Sequence, residues 1–406
     1  AVSVSNSGLA YTCAVVVADD DANGAITFSI AFTDAAGNVG TAVTSTTDST
    51  SVTIDNTHPT LNPVSIATNG DGDASNADTV SLTFTASEAL LANPTCTISD
   101  SGAAMANAVS VSNSGLAYTC AVVVADDDAN GAITFSIAFT DAAGNVGTAV
   151  TSTTDSTSVT IDNTHPTLNP VSIATNNDGD ASNADTVSLT FTASEALLAN
   201  PTCTISDSGA AMANAVSVSN SGLAYTCAVV VADDDANGAI TFSIAFTDAA
   251  GNVGTAVTST TDSTSVTIDN THPTLNPVSI ATNGDGDASN ADTVSLTFTA
   301  SEALLANPTC TISDSGAAMA NAVSVSNSGL AYTCAVVVAD DDANGAITFS
   351  IAFTDAAGNV GTAVTSTTDS TSVTIDNTHP TLNPVSIATN NDGDASNADT
   401  VSLTFT

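Results

Sequence analysis

The residues of this sequence that could do chemistry are carboxylates and amides, gathered in short segments. One segment reads NNDGDASNAD from Asn176 to Asp185, and another reads DDDAN from Asp233 to Asn237. Asp and Asn side chains and backbone carbonyls are the hard oxygen ligands that Ca²⁺ takes, about six to eight at a time. The N-x-D-x-D spacing of Asn69–Asp73 resembles the start of a calcium loop, but it lacks the Gly and the distant Glu that complete an EF-hand. Polar turns that are simply solvated are the alternative interpretation.

The chain has no positively charged Lys or Arg side chain to offset the charges of these acidic segments. The chain has 42 acidic residues, no Lys and no Arg, and its formal net charge is −42. Because nothing in it can neutralise phosphate, nucleic acid and anionic membrane surfaces are poor partners. The acids must therefore be solvated, well separated or held by metal ions.

The cysteines recur in pairs that could form disulfides. Cys96 alternates in phase with Ile98, and Cys120 alternates in phase with Tyr118 and Val122, so both cysteines point into the core. A bond between them would close a loop of about 25 residues and stabilise the fold by roughly 3 kcal/mol, while two buried free thiols are the alternative. The disulfide interpretation predicts an oxidising, extracellular location. The predicted pairs are Cys96–Cys120, Cys203–Cys227 and Cys310–Cys334, and Cys13 has no partner.

The sequence shows no catalytic constellation. It has no Lys for a phosphate-binding GxxxxGK[ST] loop, and no GxSxG nucleophile elbow. Each period has one His, such as His58, with no second His nearby, so we interpret it as a packing or hydrogen-bonding residue. No apolar run reaches the roughly 18 residues of a membrane helix, so we expect no membrane insertion in this segment. We expect that the protein is not an enzyme.

The sequence repeats almost without change every 107 residues. The segment AVSVSNSGLAYTC begins four times, at Ala1, Ala108, Ala215 and Ala322. One position varies and alternates between Gly and Asn, at Gly70, Asn177, Gly284 and Asn391. An array of near-identical units acts through length, stiffness or many weak contacts, rather than through one active site.

The segment VTIDNTHPTLNP marks the best boundary between units, because a strand ends at Ile54 and Pro59 and Pro63 flank the next one. This boundary predicts three complete domains, 60–166, 167–273 and 274–380. It leaves the C-terminal part of a repeat at 1–59 and the N-terminal part of a repeat at 381–406. We expect such a chain to be a segment of a longer protein.

Strand signals are strong within 60–166. Apolar residues alternate with Ser, Thr or Ala in three sets: Val80, Leu82 and Phe84; Tyr118, Cys120, Val122 and Val124; Ile133, Phe135, Ile137 and Phe139. Weaker strands are predicted near 61–67, 95–99, 107–111 and 147–161. Seven short strands in about 100 residues, with no helical period, predict an all-β fold of tandem immunoglobulin-like seven-strand β-sandwich domains in a linear array. A closed barrel is the alternative.

Four segments carry a resemblance to a known family. They are DTVSLTFTASEAL (Asp78–Leu90), NPTCTIS (Asn93–Ser99), ITFSIAFTDAAGNVGT (Ile133–Thr148) and SVTIDNTHPTL (Ser158–Leu168). Together they resemble the bacterial immunoglobulin-like repeats of giant surface adhesins, although His58 stands where that family usually has Ala, and the cysteines also depart from its pattern. The resemblance implies an extracellular stalk at the cell surface, often stiffened by calcium.

The order of the strands predicts where the acids lie. The loop Asn176–Asp185, the loop Asp233–Asn237 and the linker residue Asp269 converge at one pole of domain 167–273, facing Glu302 and Asp355 of the next domain. Like charges packed there would repel unless a cation intervenes, so we predict Ca²⁺ at the domain junctions, with solvated turns as the alternative. The candidate ligands are Asp71, Asp73, Asp78, Asp162, Asn163, Asp178, Asp180, Asp185, Glu195, Asp233, Asp234, Asp235, Asp248, Asn252, Asp269, Glu302, Asp355 and Asn359.

Two functions fit these observations. The first is a stiff extracellular stalk of a cell-surface adhesin, whose partners are the neighbouring repeats of the same chain. The second is a self-assembling extracellular filament or sheath, whose repeats pack laterally against other copies of the chain, with Thr148–Ser158 as a candidate contact strip. A glycan-binding repeat is a third class, but the sequence lacks the aromatic platform that such sites commonly use.

Overall fold

The fold is all-β. The computed structural model describes residues 1–70, 73–176, 180–284, 286–390 and 393–406. These residues form thirty-two strands and no helix. None of the described segments could therefore cross a membrane as a helix.

The strands recur with the period of the sequence. Residues 1–59 contain β1 (Ser3–Ser7), β2 (Ala10–Ala14), β3 (Gly24–Ala25) and β4 (Thr53–Ile54). Residues 60–166 contain β5 (Leu61–Thr68), β6 (Thr79–Ala86), β7 (Thr95–Asp100), β8 (Ala103–Ala104), β9 (Ser110–Ser114), β10 (Ala117–Val123), β11 (Gly131–Ala132), β12 (Thr134–Ala138) and β13 (Thr160–Ile161).

The next repeats have the same order, except that one strand replaces the pair equivalent to β11 and β12 in residues 167–273. That repeat contains β14 (Leu168–Thr175), β15 (Thr186–Ala193), β16 (Thr202–Asp207), β17 (Ala210–Ala211), β18 (Ser217–Ser221), β19 (Ala224–Val230), β20 (Gly238–Ala245) and β21 (Thr267–Ile268). Residues 274–406 contain β22 (Leu275–Thr282), β23 (Thr293–Ala300), β24 (Thr309–Asp314), β25 (Ala317–Ala318), β26 (Ser324–Ser328), β27 (Ala331–Val337), β28 (Gly345–Ala346), β29 (Thr348–Ala352), β30 (Thr374–Ile375), β31 (Val385–Thr389) and β32 (Val401–Phe405).

Each complete repeat is a sandwich of two antiparallel layers, and the second layer is one sheet in residues 167–273 but two smaller sheets in residues 60–166 and 274–380. In residues 167–273 one sheet has the order β14-β15-β19-β18, and the other has the order β17-β16-β20-β21. This is the strand arrangement of an immunoglobulin-like domain, with Greek-key connections between the sheets. The protein is thus a tandem array of immunoglobulin-like β-sandwiches, as the sequence predicts, and not a closed barrel.

The core of each repeat is built from the alternating residues that the sequence singles out. On β15 the side chains of Val187, Leu189 and Phe191 are buried, and Phe191 stacks on Tyr225 of β19 with ring centroids 5.8 Å apart. Burying an aliphatic or aromatic side chain stabilises a fold by about 1.5–3 kcal/mol. The three buried clusters are separate, and each lies within one of the predicted repeats.

The predicted disulfides are present in all three complete repeats. Cys203 lies on β16 and Cys227 on β19, so the bond joins the two sheets across the core, with the Cα atoms 6.4 Å apart. Cys96–Cys120 and Cys310–Cys334 are equivalent, and Cys13 is exposed and free. The alternation of the cysteines with core residues thus predicted correctly which cysteines pair and that each bond lies in the core.

Two weaker strand predictions differ from the structure. The strand predicted at 107–111 runs from Ser110 to Ser114, because Asn107 and Ala106 are held in a loop by Val123 and Asp128. Most of the strand predicted at 147–161 is irregular, and only β13 and isolated bridges at Val146 and Val150 remain. The reason is that the backbone there turns so that two threonines bond the edge of β5 (Thr154 and Thr157).

Loss of the disulfide is expected to lower the free energy of unfolding of each complete repeat by about 3 kcal/mol, because the bond closes a loop with a sequence separation of 24. Denaturant unfolding with and without a reductant measures this difference. Cys13→Ser is the control and should leave the midpoint unchanged, because Cys13 is unpaired. Equal midpoints in oxidised and reduced protein would contradict the expectation.

The replacement of Gly254 by Ala is expected to destabilise its repeat by about 1–3 kcal/mol through overpacking. A Cβ atom at Gly254 would lie 2.1 Å from Cε2 of Phe246, whose ring covers this glycine. Introducing Gly147→Ala, Gly254→Ala and Gly361→Ala together should lower the denaturation midpoint of the whole array. Adding Phe→Leu at Phe139, Phe246 and Phe353 should recover part of the loss if the clash is its cause; an unchanged midpoint in the Ala variant would refute the clash.

Candidate metal centre at the repeat junctions

Three of the junctions between repeats each gather three carboxylates that could hold a metal ion. Asp162 comes from the linker, Glu195 from the loop after β15, and Asp248 from the TDAAGN turn after β20. One carboxylate oxygen from each of the three residues lies within 4.8 Å of the other two. We call this group the junction triad. The equivalent triads are Asp55–Glu88–Asp141 and Asp269–Glu302–Asp355.

Asp248 is fixed by the turn that it begins. Its Oδ1 accepts hydrogen bonds from the N–H groups of Ala250 and Asn252 at 2.9 and 2.8 Å, and its Oδ2 accepts one from Nδ2 of Asn252 at 2.9 Å. An Asp that accepts backbone N–H groups a few residues ahead is the usual way for this residue type to organise a turn. The side chain is only 1% exposed. The carboxylate is therefore presented to the junction in a single orientation.

In the first triad, hydrogen bonds within the turn lower the pKa of Asp141. Burial acts to raise the pKa of Asp141, but hydrogen bonds from Asn145, Gly144 and Ala143 together outweigh it, so that the pKa is lowered. Hydrogen bonds to the charged form favour it, which is the physical cause of the shift. The turn thus supplies a charged ligand rather than a neutral acid.

Asp162 is held by the repeat that precedes it. Its Oδ1 accepts hydrogen bonds from Nδ2 of Asn130 at 3.0 Å and from the N–H of Thr164 at 2.9 Å. Asn130 also accepts the N–H of Asn163 through its Oδ1, at 2.8 Å. Asn163 in turn donates its Nδ2 to two carbonyls of the preceding repeat, at Ala125 and Asp128.

The following repeat holds the same linker from the other side. Asn252 donates its Nδ2 to the backbone carbonyl of Asp162 at 2.8 Å. His165 forms a hydrogen bond through Nδ1 to the carbonyl of Val253 at 2.9 Å, and His58 does the same with Val146. The linker histidine is thus a hydrogen-bonding residue, as the sequence predicts. These contacts fix the linker between both repeats before any ion is considered.

In the triad of Asp162, Glu195 and Asp248, the surroundings of Glu195 make its ionised form less stable. Burial raises the pKa of Glu195, and the charges of Asp162 and Asp248 raise it further. Glu302 and Glu88 show the same direction from the same leading causes. At an effective dielectric constant of about 20, two carboxylates this close repel by roughly 3 kcal/mol.

The chemistry of the triad fits a hard divalent cation. Its ligands are all carboxylate oxygens, which suit ions such as Ca²⁺ and Mg²⁺ rather than metals that prefer sulfur or imidazole. The sequence has no Lys or Arg that could take the place of an ion. The three repeat junctions therefore carry acidic groups that could each hold a metal ion.

The structure uses several of the other predicted ligands differently. Asp235 is 5% exposed and accepts the N–H groups of Ala213 and Ala232, while Asp185 accepts the N–H and hydroxyl of Ser182. Asp78 binds Ser75 in the same way as Asp185, and Asp73, Asp180, Asp233 and Asp234 are exposed or partly exposed in their loops. In the described part of the chain, none of these acids joins a group of three. Asp71 and Asp178 lie outside the described residues.

The predicted amide ligands act instead through their nitrogens. Asn252 and Asn359 donate to the linker carbonyls of Asp162 and Asp269, and each also donates to the Asp of its own turn. Asn163 donates its Nδ2 and keeps a buried Oδ1 that has no hydrogen-bond partner. The Asn residues of the junction thus position its carboxylates.

Two groups of junction residues were not predicted. Asp55, Glu88 and Asp141 form the first triad, and the period of 107 residues was the signal that could have found them. The second group is the Asn that donates to both the linker Asp and the linker Thr. It occurs as Asn23, Asn130, Asn237 and Asn344. Its contact is made 32 residues away, so local sequence gives no sign of it.

The chain is similar to known proteins in structure, but its sequence matches no known family. No protein-family model matches this chain, and no curated protein matches its sequence. The I-band fragment I67–I69 of titin is 9% identical with a TM-score of 0.35, and the match covers 79% of this chain and 99% of that chain. A tetra-tandem repeat from the extending region of a large adhesion protein is 21% identical with a TM-score of 0.30, covering 88% of this chain and 82% of that chain. At these values the likeness assigns no function.

Without divalent cations, the free energy of unfolding is expected to fall as the pH rises through the raised pKa values of Glu88, Glu195 and Glu302. A carboxyl whose pKa is raised by folding binds its proton more tightly in the folded chain. Its contribution is therefore complete below the pKa of the unfolded chain and is lost as the pH rises through the folded pKa. Thermal unfolding in chelator, followed as the pH is raised from the ordinary Glu pKa of 4.5, measures this.

A variant with Glu→Gln at these three positions is the control and should lose the dependence in that pH range. The Asp carboxyls with lowered pKa, such as Asp141 and Asp262, act in a separate range, below their ordinary value of 3.8, where acidification removes their contribution. Stability that is flat with pH above the ordinary Glu pKa of 4.5 would rule out strain at the triads.

Proposed function

We propose that this chain is a stiff, non-catalytic spacer in the extracellular stalk of a cell-surface adhesin, with Ca²⁺ bound at each repeat junction. The observation that carries the proposal is the junction triad, because its carboxylates come from the linker and from two loops of the following repeat. An ion bound there ties one repeat to the next. The same arrangement recurs at three junctions of the chain.

The ligand geometry supports Ca²⁺. Ca²⁺–oxygen distances are about 2.3–2.6 Å, so two oxygens on one ion lie at most about 5 Å apart. The oxygens of the triad lie within 4.8 Å of one another. Three carboxylates are fewer ligands than the six to eight or so that Ca²⁺ takes, and water or backbone carbonyls would complete the shell. When bound, the ion would supply the positive charge that Asp162, Glu195 and Asp248 lack.

The short linker supports stiffness. Asn252 and His165 bond the linker and the following repeat to each other, while Asn130 and Asn163 bond the linker to the preceding repeat. Ser182 of one repeat also donates to the carbonyl of Ala357 in the next, at 2.8 Å. A linker held on both sides transmits orientation, whereas a Gly/Ser coil would not.

The extracellular setting is supported by the disulfides, which persist in oxidising compartments. Extracellular calcium modules commonly bind in the range of about 10⁻⁴–10⁻³ M, and their affinity is tuned by the number of charged ligands and the rigidity of the site. The resemblance of the TDAAGN and IDNTHPT segments to adhesin repeats points to the same setting.

A laterally packed filament is the second candidate. Its predicted strip, Thr148–Ser158, is partly used inside the repeat, because Thr154 and Thr157 bond the edge of β5. That use leaves fewer free groups on this strip, which argues against the strip as the contact between chains.

Millimolar Ca²⁺ is expected to raise the unfolding temperature of the chain by several degrees. At about one to ten times the Kd, each site would add roughly 0.4–1.4 kcal/mol to the stability of the bound form. Replacing Glu88, Glu195 and Glu302 by Gln should remove most of this rise. In chelator, however, the same variant should be as stable as the parent or more so, because one repelling charge per junction has gone.

The matched control replaces one exposed carboxylate per repeat outside the triads, with Asn at Asp127, Asp234 and Asp341. This variant should keep the full response to Ca²⁺. Small-angle X-ray scattering of the parent should show a larger maximum dimension in Ca²⁺ than in chelator, if the ion stiffens the junctions. An equal response to Ca²⁺ in parent and Gln variant would refute the triads as the binding site.

A further inference from the structure

The two edge strands of one sheet differ in whether their outer backbone groups have hydrogen-bond partners. In the sheet β14-β15-β19-β18, the edge strand β14 is closed by two threonines. The N–H of Val171 donates to Oγ1 of Thr261 at 2.9 Å, and the carbonyl of Val171 accepts the N–H of Thr261 at 2.8 Å. The N–H of Ile173 donates to Oγ1 of Thr264 at 3.0 Å. In the described part of the chain no strand pairs with the outer side of β18, the opposite edge.

The hairpin between β18 and β19 shows which backbone groups this open edge presents. Ser221 pairs with Ala224 across the two-residue loop Gly222-Leu223, where Gly222 has a φ of 61°. The pair that closes such a hairpin exchanges hydrogen bonds, and along an antiparallel strand every second residue does the same. Val218 and Asn220 therefore direct their N–H and C=O groups away from β19.

The open edge has none of the usual protection against pairing. Natural edge strands carry Lys, Pro, bulges or inward-pointing charges that prevent another strand from adding. The whole run from Ser208 to Ala232 contains no charged residue and no Pro, in a chain with 42 acids. The strand itself reads SVSNS, and its Ser and Asn residues are exposed. The edge strand β18 is thus an uncharged part of the surface of a strongly acidic protein.

We propose that this edge pairs with the same edge of a second copy of the chain. In an antiparallel pairing about a two-fold axis at Ser219, Val218 lies opposite Asn220 of the second copy, and the reverse. The outward groups of these residues then form four backbone hydrogen bonds. The small side chains of Ser217, Ser219 and Ser221 leave the approach free.

The surroundings of the edge match this register. The pairing places Leu223 of one copy opposite Ala215 of the other. Leu223 is 40% exposed. Ala215 borders a shallow depression of about 480 Å³ that is also lined by Asn214, Ser217 and Val230. The exposed leucine of each copy thus meets an uncharged hollow on the other.

A second copy is the occupant that the charges favour. A partner has to bring an uncharged extended strand close to a chain of net charge −42 without placing its own acids against it. The same chain meets this requirement, because its acids lie in the loops and its open edge is free of them. The edge recurs as β9 and β26, so two chains carry several matching strands.

Cross-linking of the full chain tests the register directly, in a Cys13→Ser background that removes the exposed free thiol. Residues that face each other at a non-hydrogen-bonded pair have Cα atoms about 4.5 Å apart, within disulfide reach. Ser219→Cys is therefore expected to give mostly covalent dimer on mild oxidation. Thr258→Cys, at an exposed position just after the isolated bridge between Val257 and Ile244 of the other sheet, is the matched control and should give no covalent dimer.

A second pair of variants separates this pairing from chance collision. Ser217 lies opposite Ser221 of the second copy, and about 13 Å along the strand from its own counterpart. Ser217→Cys and Ser221→Cys should each cross-link poorly alone and well when mixed. The proposal is overturned if Ser219→Cys gives no more dimer than Thr258→Cys, or if mixing the Ser217 and Ser221 variants gives no gain over either alone.

Discussion

The structure depends on one constraint: 42 carboxylates share a chain that has neither Lys nor Arg. Each acid has to be stabilised by neutral donors or left in water. Neutral donors do most of this, because one Asp after another accepts backbone N–H groups of its own loop. Asp248 holds the TDAAGN turn, Asp235 holds the loop before β20, and Asp262 accepts the N–H and hydroxyl of Thr264. The acids are thus the organisers of the loops.

The junction triad is the place where neutral donors do not suffice. Asp162 and Asp248 are well supplied with N–H groups, but Glu195 receives only a long contact of 3.4 Å from Ser194. The raised pKa of Glu195 is the result, since burial and two like charges act together on it. The triad modifies the stability of a repeat, but the core and the disulfide of each complete repeat lie apart from it. A repeat therefore has its own sources of stability besides the junction.

The sequence predicts the repeat better than it predicts the chemistry of its loops. Val, Leu and Phe alternating with Ser and Thr identify β15 and its equivalents, and the phase of the two cysteines identifies the disulfide. Counting strand directions also brings Glu302 to Asp269 and Asp355. What the sequence does not show is which acids are already used. Asp235 looks like a ligand in DDDAN, yet its oxygens accept the N–H of Ala213, 22 residues away.

The strand prediction at 147–161 was wrong for the same reason, because a long-range contact uses its residues. Thr154 and Thr157 stand in a run of Ser and Thr that is typical of an exposed strand, but their hydroxyls and backbone close an edge 90 residues earlier in the chain. Such a contact is set by the approach of two elements in three dimensions and leaves no local pattern. It has a consequence for the array, because it closes one edge of the sheet and leaves the opposite edge open.

The distribution of charge divides the surface of each repeat into two kinds. The poles carry carboxylates, so contacts along the chain meet repulsion unless a cation is present. The edge of β18 carries no charge, and its donors and acceptors are backbone groups that salt screens little. Contacts along the array and contacts between arrays therefore respond to different conditions. Because the repeats are nearly identical, each one has both the acidic poles and the uncharged edge. A single domain of the same fold would have no neighbouring repeat for its poles to contact.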